Sequence, residues 1–158
     1  MIRMIAVGRV KEPWMRDGIS EYMKRLKAYE KVEIVEVEDE KAPESNSDKE
    51  NEAVKKKEGE RILKALKEDE YVILLDLAGR EMDSVDLSRK LSSLYTEGHS
   101  KIAFVIGGSL GLSPEVIKRA DVRWKLSSCT FPHQLCRVIV LEQIYRAFRI
   151  MRNEPYHK

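Results

Sequence analysis

Residues 102–111 read Ile102-Ala103-Phe104-Val105-Ile106-Gly107-Gly108-Ser109-Leu110-Gly111, five unbroken apolar side chains running into a glycine-rich turn. A strand with one wet face alternates polar and apolar residues. An unbroken run marks a strand covered on both faces, as in a parallel sheet with helices on either side. Tyr71-Val72-Ile73-Leu74-Leu75 repeats the pattern, and residues 76–80 are read as the turn leaving it. Further strands are expected over 2–7, 32–37 and 122–126. Between them lie helical patterns over 13–28, about 48–67 and 83–95, one begun by Ser113-Pro114, and a last one opened by Pro132. Ser47 and Glu50 have the spacing of a reciprocal capping box, Asp83 is a candidate N-cap, and Pro114 suits the first helical position. The polar stretch 39–48, with Pro43, reads as an exposed loop. Strand and helix alternate throughout, so the expected class is α/β with a parallel sheet, in one domain over residues 1–158.

The chain has 158 residues, 42% apolar and 35% charged, which suits one globular core and not two. No apolar run approaches the roughly 18 residues of a membrane span. The first residues are too few and too charged for a signal peptide, so a cytoplasmic location without membrane partners is expected. Two cysteines, Cys129 and Cys136, offer no disulfide framework. The net charge of +2 is unevenly spread. Residues 1–31 hold eight Lys/Arg against four Asp/Glu, residues 32–60 five against eleven, and residues 132–158 five against two. A polyanion would therefore meet the ends of the chain rather than its middle.

The glycines of 107–111 sit where an open α/β sheet binds ligands, at the carboxyl end of a strand. They do not form the dinucleotide fingerprint, and no acidic residue stands about 20 positions on to hold a ribose, which argues against hydride transfer. Alone, the loop reads equally as a tight structural turn. Cys129, His133 and Cys136 resemble a zinc spacing but lack a clear fourth ligand, and no metal is expected. The last helix is apolar around most of its circumference, with Glu142, Arg146 and Arg149 on a narrow polar arc. One face can bury against the sheet. A second needs a partner, so a symmetric dimer through this helix is expected over a helix wholly internal to a monomer. Arg137, Arg146, Arg149 and Arg152 are candidate phosphate contacts. The closing Tyr156-His157-Lys158 combines a stacking ring, a group that exchanges protons near neutral pH and a cation, a set suited to RNA.

At residues 126–158, joined to F-V-I-G-G-S-L-G at 104–111, A-V-G-R at 6–9, D-E-K-A-P-E at 39–44 and K-E-G-E-R-I-L at 57–63, the chain resembles a known family. It is similar to the ribosomal RNA large subunit methyltransferase H family, pseudouridine N3-methyltransferases of the SPOUT superfamily, over its whole length. The resemblance implies an α/β knot, with a C-terminal trefoil over about residues 71–158. It implies S-adenosylmethionine as methyl donor, bound by Leu75, Gly107, Leu126, Ser127, Ser128, Cys129, Thr130 and Phe131, at a homodimer interface. The implied substrate is a pseudouridine of 23S rRNA in the assembled ribosome. His157 is then the candidate base for the N3 proton and Tyr156 the ring that stacks on the target. Arg137, Arg146, Arg149 and Lys158 would hold the RNA. Asn153 stands where glycine is expected before the tail. The competing class is a non-catalytic ribosome-binding module, which would need no donor site.

Overall fold

The computed structural model describes residues 1–41, 45 and 47–158, so residues 42–44 and 46 of the expected loop, Pro43 among them, lie outside the described residues. Ten elements alternate along the chain: β1 Ile2–Val7, α1 Pro13–Leu26, β2 Val32–Val37, α2 Asp48–Ala65, β3 Tyr71–Glu81, α3 Ser84–Thr96, β4 Ile102–Ile106, α4 Pro114–Arg119, β5 Val122–Lys125 and α5 His133–Met151. The strands form one parallel sheet in the order β2-β1-β4-β3-β5. β1 and β4 lie inside it and are buried along their whole length, which accounts for their unbroken apolar sequences.

Successive side chains of a strand point to opposite faces, and the core divides accordingly. Met4, Ile73, Phe104 and Trp124 face Leu87 and Leu91 of α3 and Val140, Leu141 and Ile144 of α5. Ile5, Val72, Leu74 and Val105 face Ile62 of α2 and Val116 of α4. Each such fully buried aliphatic side chain contributes about 1.5–3 kcal/mol. The chain after β4 thus runs over one face through α4, forms β5 outside β3, and crosses to the opposite face as α5.

Three helix starts follow the local chemistry. Ser47, Asp83 and Ser113 each accept the amide of the residue three positions on. The reciprocal box is complete at Asp83–Asp86. At Ser47 only half of it forms, because the Glu50 carboxylate accepts the Ser45 hydroxyl and the Ser47 amide donates to the Ser45 carbonyl. The larger departure is in β3. Residues 76–80 do not leave the strand; it resumes pairing with β5 at Arg80 and runs to Glu81, the intervening residues bulging from the ladder.

Candidate functional site: a cavity at the carboxyl ends of β3, β4 and β5

Three loops close around a cavity of about 700 Å³: the β3 bulge at 76–78, the glycine loop at 107–112 and the segment from 126 into the first turn of α5. The bulge is fixed from below. The Asp76 carboxylate accepts the Arg123 Nε at 2.6 Å and the Ala78 amide at 2.9 Å. Gly79 lies so close to β5 that an added Cβ would stand 2.5 Å from the Arg123 carbonyl oxygen. In the glycine loop, the Gly111 amide donates to the Gly108 carbonyl, and Gly111 takes φ +102°, a left-handed conformation that favours glycine. The space a side chain would occupy at Gly107 is filled by Leu112, and at Gly108 by the carboxyl of Glu58. Leu75, Ile106, Leu112, Ile117, Leu126 and Phe131 give the cavity apolar walls, while the loop backbones supply polar groups, the composition of a small-molecule site.

Seven of the eight residues expected at the methyl donor line this cavity: Leu75, Gly107, Leu126, Ser127, Cys129, Thr130 and Phe131. Ser128 does not; its hydroxyl meets the Glu81 carboxylate at 3.4 Å. His133 and Cys136 complete the wall. Burial pushes the Cys136 thiol up, away from the reactive thiolate, and burial together with the Arg137 charge holds His133 below the ordinary histidine range, as a neutral imidazole near pH 7. No group of three or more His, Cys, Asp or Glu that could hold a metal occurs among the described residues.

The remaining expected residues lie elsewhere. Tyr156 folds back on the middle of α5, edge-on to Tyr145 at 4.9 Å, beneath the Arg146 guanidinium at 4.6 Å and donating to Glu142 at 3.2 Å. Burial and its hydrogen bonds push the Tyr156 phenol up to about 12. The His157 Nδ1 is 3.2 Å from the Arg146 Nη1. Arg149 holds Glu154 and the Pro155 carbonyl, and Lys158 is exposed. Asn153 turns the chain with φ +53°, the left-handed helix stop that glycine favours and asparagine tolerates. Cys136 lines the cavity, yet Arg146 stands ten residues further along the helix, about 15 Å at 1.5 Å per residue. One chain therefore does not bring its tail to its own cavity.

Arg137 corrects the sequence expectation. It is 1% exposed, with Nη2 donating to the Val7 and Gly8 carbonyls at 2.8 Å each and Nη1 to Glu36 at 2.7 Å. It fastens α5 to the ends of β1 and β2 and presents no charge to a phosphate. The sequence reading also missed the β3 bulge, whose signal was Asp76 and Gly79 inside an otherwise apolar run, and a second cleft of about 820 Å³ at the ends of β1 and β2.

A family model described as a predicted SPOUT methyltransferase matches residues 1–157. A curated relative from Alkaliphilus oremlandii, ribosomal RNA large subunit methyltransferase H, is 55% identical over 157 residues, 99% of each chain. A protein of the same name from Acetivibrio thermocellus is 52% identical over the same share. Among solved structures, a probable methylase family protein from Haemophilus influenzae superposes with a TM-score of 0.56 at 16% identity, over 99% of this chain and 70% of that one. The last likeness concerns the fold alone. The full-length family match and the two close relatives carry the conclusion: this chain belongs to the SPOUT methyltransferase family.

Proposed function

We propose that the chain methylates N3 of a pseudouridine in 23S rRNA of the assembled ribosome, using S-adenosylmethionine, as a knotted homodimer in the cytoplasm. The observation that carries this reading is the cavity at the ends of β3, β4 and β5, with seven of the eight expected donor residues on its wall. A module that only bound ribosomes would have no use for it. The names of the close relatives support the rRNA substrate. The passage of the chain from α4 on one face, through β5, to α5 on the other is the path a C-terminal knot over about residues 71–158 would require.

When bound, S-adenosylmethionine supplies an electrophilic methyl group on a sulfonium. The residues around it align and desolvate, since in-line displacement rewards orientation above all. Leu126 and Phe131 cover apolar surface, and the glycine loop lets the ligand approach the backbone. The N3–H bond of the acceptor breaks as N3 takes the methyl group, and the proton passes to His157 directly or through water. Tyr156 stacks on the base, and Arg146, Arg149 and Lys158 hold phosphates. These groups reach the donor from the other protomer, because in their own chain they sit about 15 Å along α5. Leu135, Val138 and Ile139 of α5 are only part-buried in the single chain and form the apolar contact of the dimer.

The test uses labelled S-adenosylmethionine with assembled ribosomes and with free large-subunit rRNA, both from cells lacking the activity. Label entering N3 of one pseudouridine on ribosomes, and not on free rRNA, is expected. Donor binding without transfer to either would overturn the rRNA reading, and a His157→Ala enzyme with near-normal turnover would overturn the base.

A further inference from the structure

Beside the donor cavity lies a second cleft of about 820 Å³, formed by Gly8 and Arg9 after β1, residues 36–39 at the end of β2, the start of α1 and the first turn of α5. Among the described residues, His133 alone lines both spaces. The cleft therefore adjoins the donor cavity at the His133 ring. The volume falls within the roughly 300–1,000 Å³ of ligand pockets.

The chemistry of its wall is specific. Arg9 and Lys11 are exposed and make no ion pair with any described residue. Glu36 is matched by Arg137, while Glu12, Glu38 and Asp39 make no ion pair with any described residue. Such a wall suits a neutral ring bearing N–H donors, with a phosphate held at the mouth by the two cations. Asp39 is the best placed carboxylate. Its side chain lies against Gly8, where an added Cβ would stand 3.7 Å from the Asp39 Cγ, and Gly8 takes φ +86°. Its charge also reaches the His133 ring, opposing that of Arg137.

We propose that this cleft receives the acceptor nucleotide, extruded from its helix, and that Asp39 accepts the ring N1–H that distinguishes pseudouridine from uridine. The inference rests on the proposed function and extends it to substrate selection. With N3 turned past His133 toward the donor, N1 is the other N–H of the same ring. Uridine carries its sugar on N1 and offers no hydrogen there. A hydrogen bond to a charged acceptor contributes about 1.5–3 kcal/mol, a preference of roughly 10- to 100-fold.

The experiment compares ribosomes carrying pseudouridine with ribosomes from cells lacking the relevant pseudouridine synthase, which carry uridine, and reads kcat/KM for methyl transfer to each. Asp39→Ala is expected to lose about tenfold or more of the preference, while affinity for S-adenosylhomocysteine stays within about twofold. Asp39→Asn, whose amide oxygen still accepts, restores part of it. Arg9→Ala and Lys11→Ala lower transfer to both substrates alike and each reduce the salt slope of ribosome binding by about one. An unchanged preference in Asp39→Ala, with the donor still bound, overturns the inference and leaves the proposed function standing. Failure of the wild-type protein to methylate either substrate overturns both.

Discussion

Arg137 is where structure and sequence make opposite forecasts, so Arg137→Met is the sharpest perturbation. The guanidinium donates to two backbone carbonyls at 2.8 Å and one carboxylate at 2.7 Å, and the residue is 1% exposed. Methionine keeps most of the volume and removes every donor, stranding the Val7 and Gly8 carbonyls. Removing one partner of a buried charge pair costs about 3–5 kcal/mol. The Glu36 side chain is 42% exposed, so water takes over part of its charge and the low end applies, about 3 kcal/mol. For a chain of this size about 1 kcal/mol moves Tm by roughly 2–4 °C, so a fall of about 6–12 °C is expected. The assay is thermal unfolding followed by circular dichroism, wild type and variant at equal protein concentration. The salt dependence of ribosome binding supplies the second readout. Were Arg137 a phosphate contact, the logarithmic slope would shrink by about 0.9 while Tm held. A Tm within about 2 °C of wild type would refute the argument made here from burial and hydrogen bonding.

Two further perturbations follow from the loops around the cavity. Burial pushes the Glu58 carboxyl above the ordinary glutamate range, against the opposing Glu40 amide. The folded state then holds this proton to higher pH than the unfolded state, so the stability it supports is full at low pH and declines as pH rises through the folded pKa. Glu58→Gln removes that decline, and urea unfolding from about pH 4 to 7 should show the variant gaining on wild type as pH rises; parallel curves would refute this. Gly79→Ala drives a Cβ against the Arg123 carbonyl, which is backbone and cannot swing away. Calorimetry with S-adenosylhomocysteine should show at least about a tenfold loss of affinity. Gly98→Ala is the control: its Cβ meets nothing within 4 Å, so only the strain of φ +92° acts, at about 1–3 kcal/mol of stability, with donor affinity intact.

What the sequence made legible was what local physics determines. β4 and the first half of β3 declared themselves because both faces are covered, and periodicity reports burial directly. Ser47, Asp83 and Ser113 declared themselves because a cap is a matter of one side chain and an amide three residues away. The second half of β3 did not, since Asp76 and Gly79 punctuate a strand in the same way that they punctuate a turn. Only pairing with β5, a partner some 45 residues distant, tells them apart. Arg137 was illegible for a related reason. A cation on an apolar helix looks the same whether it meets a phosphate or two carbonyls from the far end of the chain. The residues expected at the donor came from the resemblance, and the fold gathers seven of them from three separate strand ends around one cavity.

The tail poses the remaining problem, and α5 itself carries the argument. Its first turn closes the proposed donor cavity, and Tyr156, beyond its last turn, folds back against Tyr145 and Arg146, so the two halves of the expected chemistry are held about 15 Å apart along one rigid helix. No loop motion within α5 can shorten that distance while its hydrogen bonds last. Leu135, Ile139, Glu142 and Arg146 lie in one row on the helix, at spacings of three and four, and all are only part-buried. In the proposed dimer, a twofold axis crossing this row near its middle sets the helix antiparallel to its copy. Antiparallel pairing about that point places the tail end of each helix beside the cavity end of the other. The length that separates the two groups within a chain is thus what brings them together between chains. A monomeric variant, made by placing Glu at both Leu135 and Ile139, should keep donor binding and lose methyl transfer. One that transferred methyl groups as a monomer would sink this account, which needs the partner's tail at the donor.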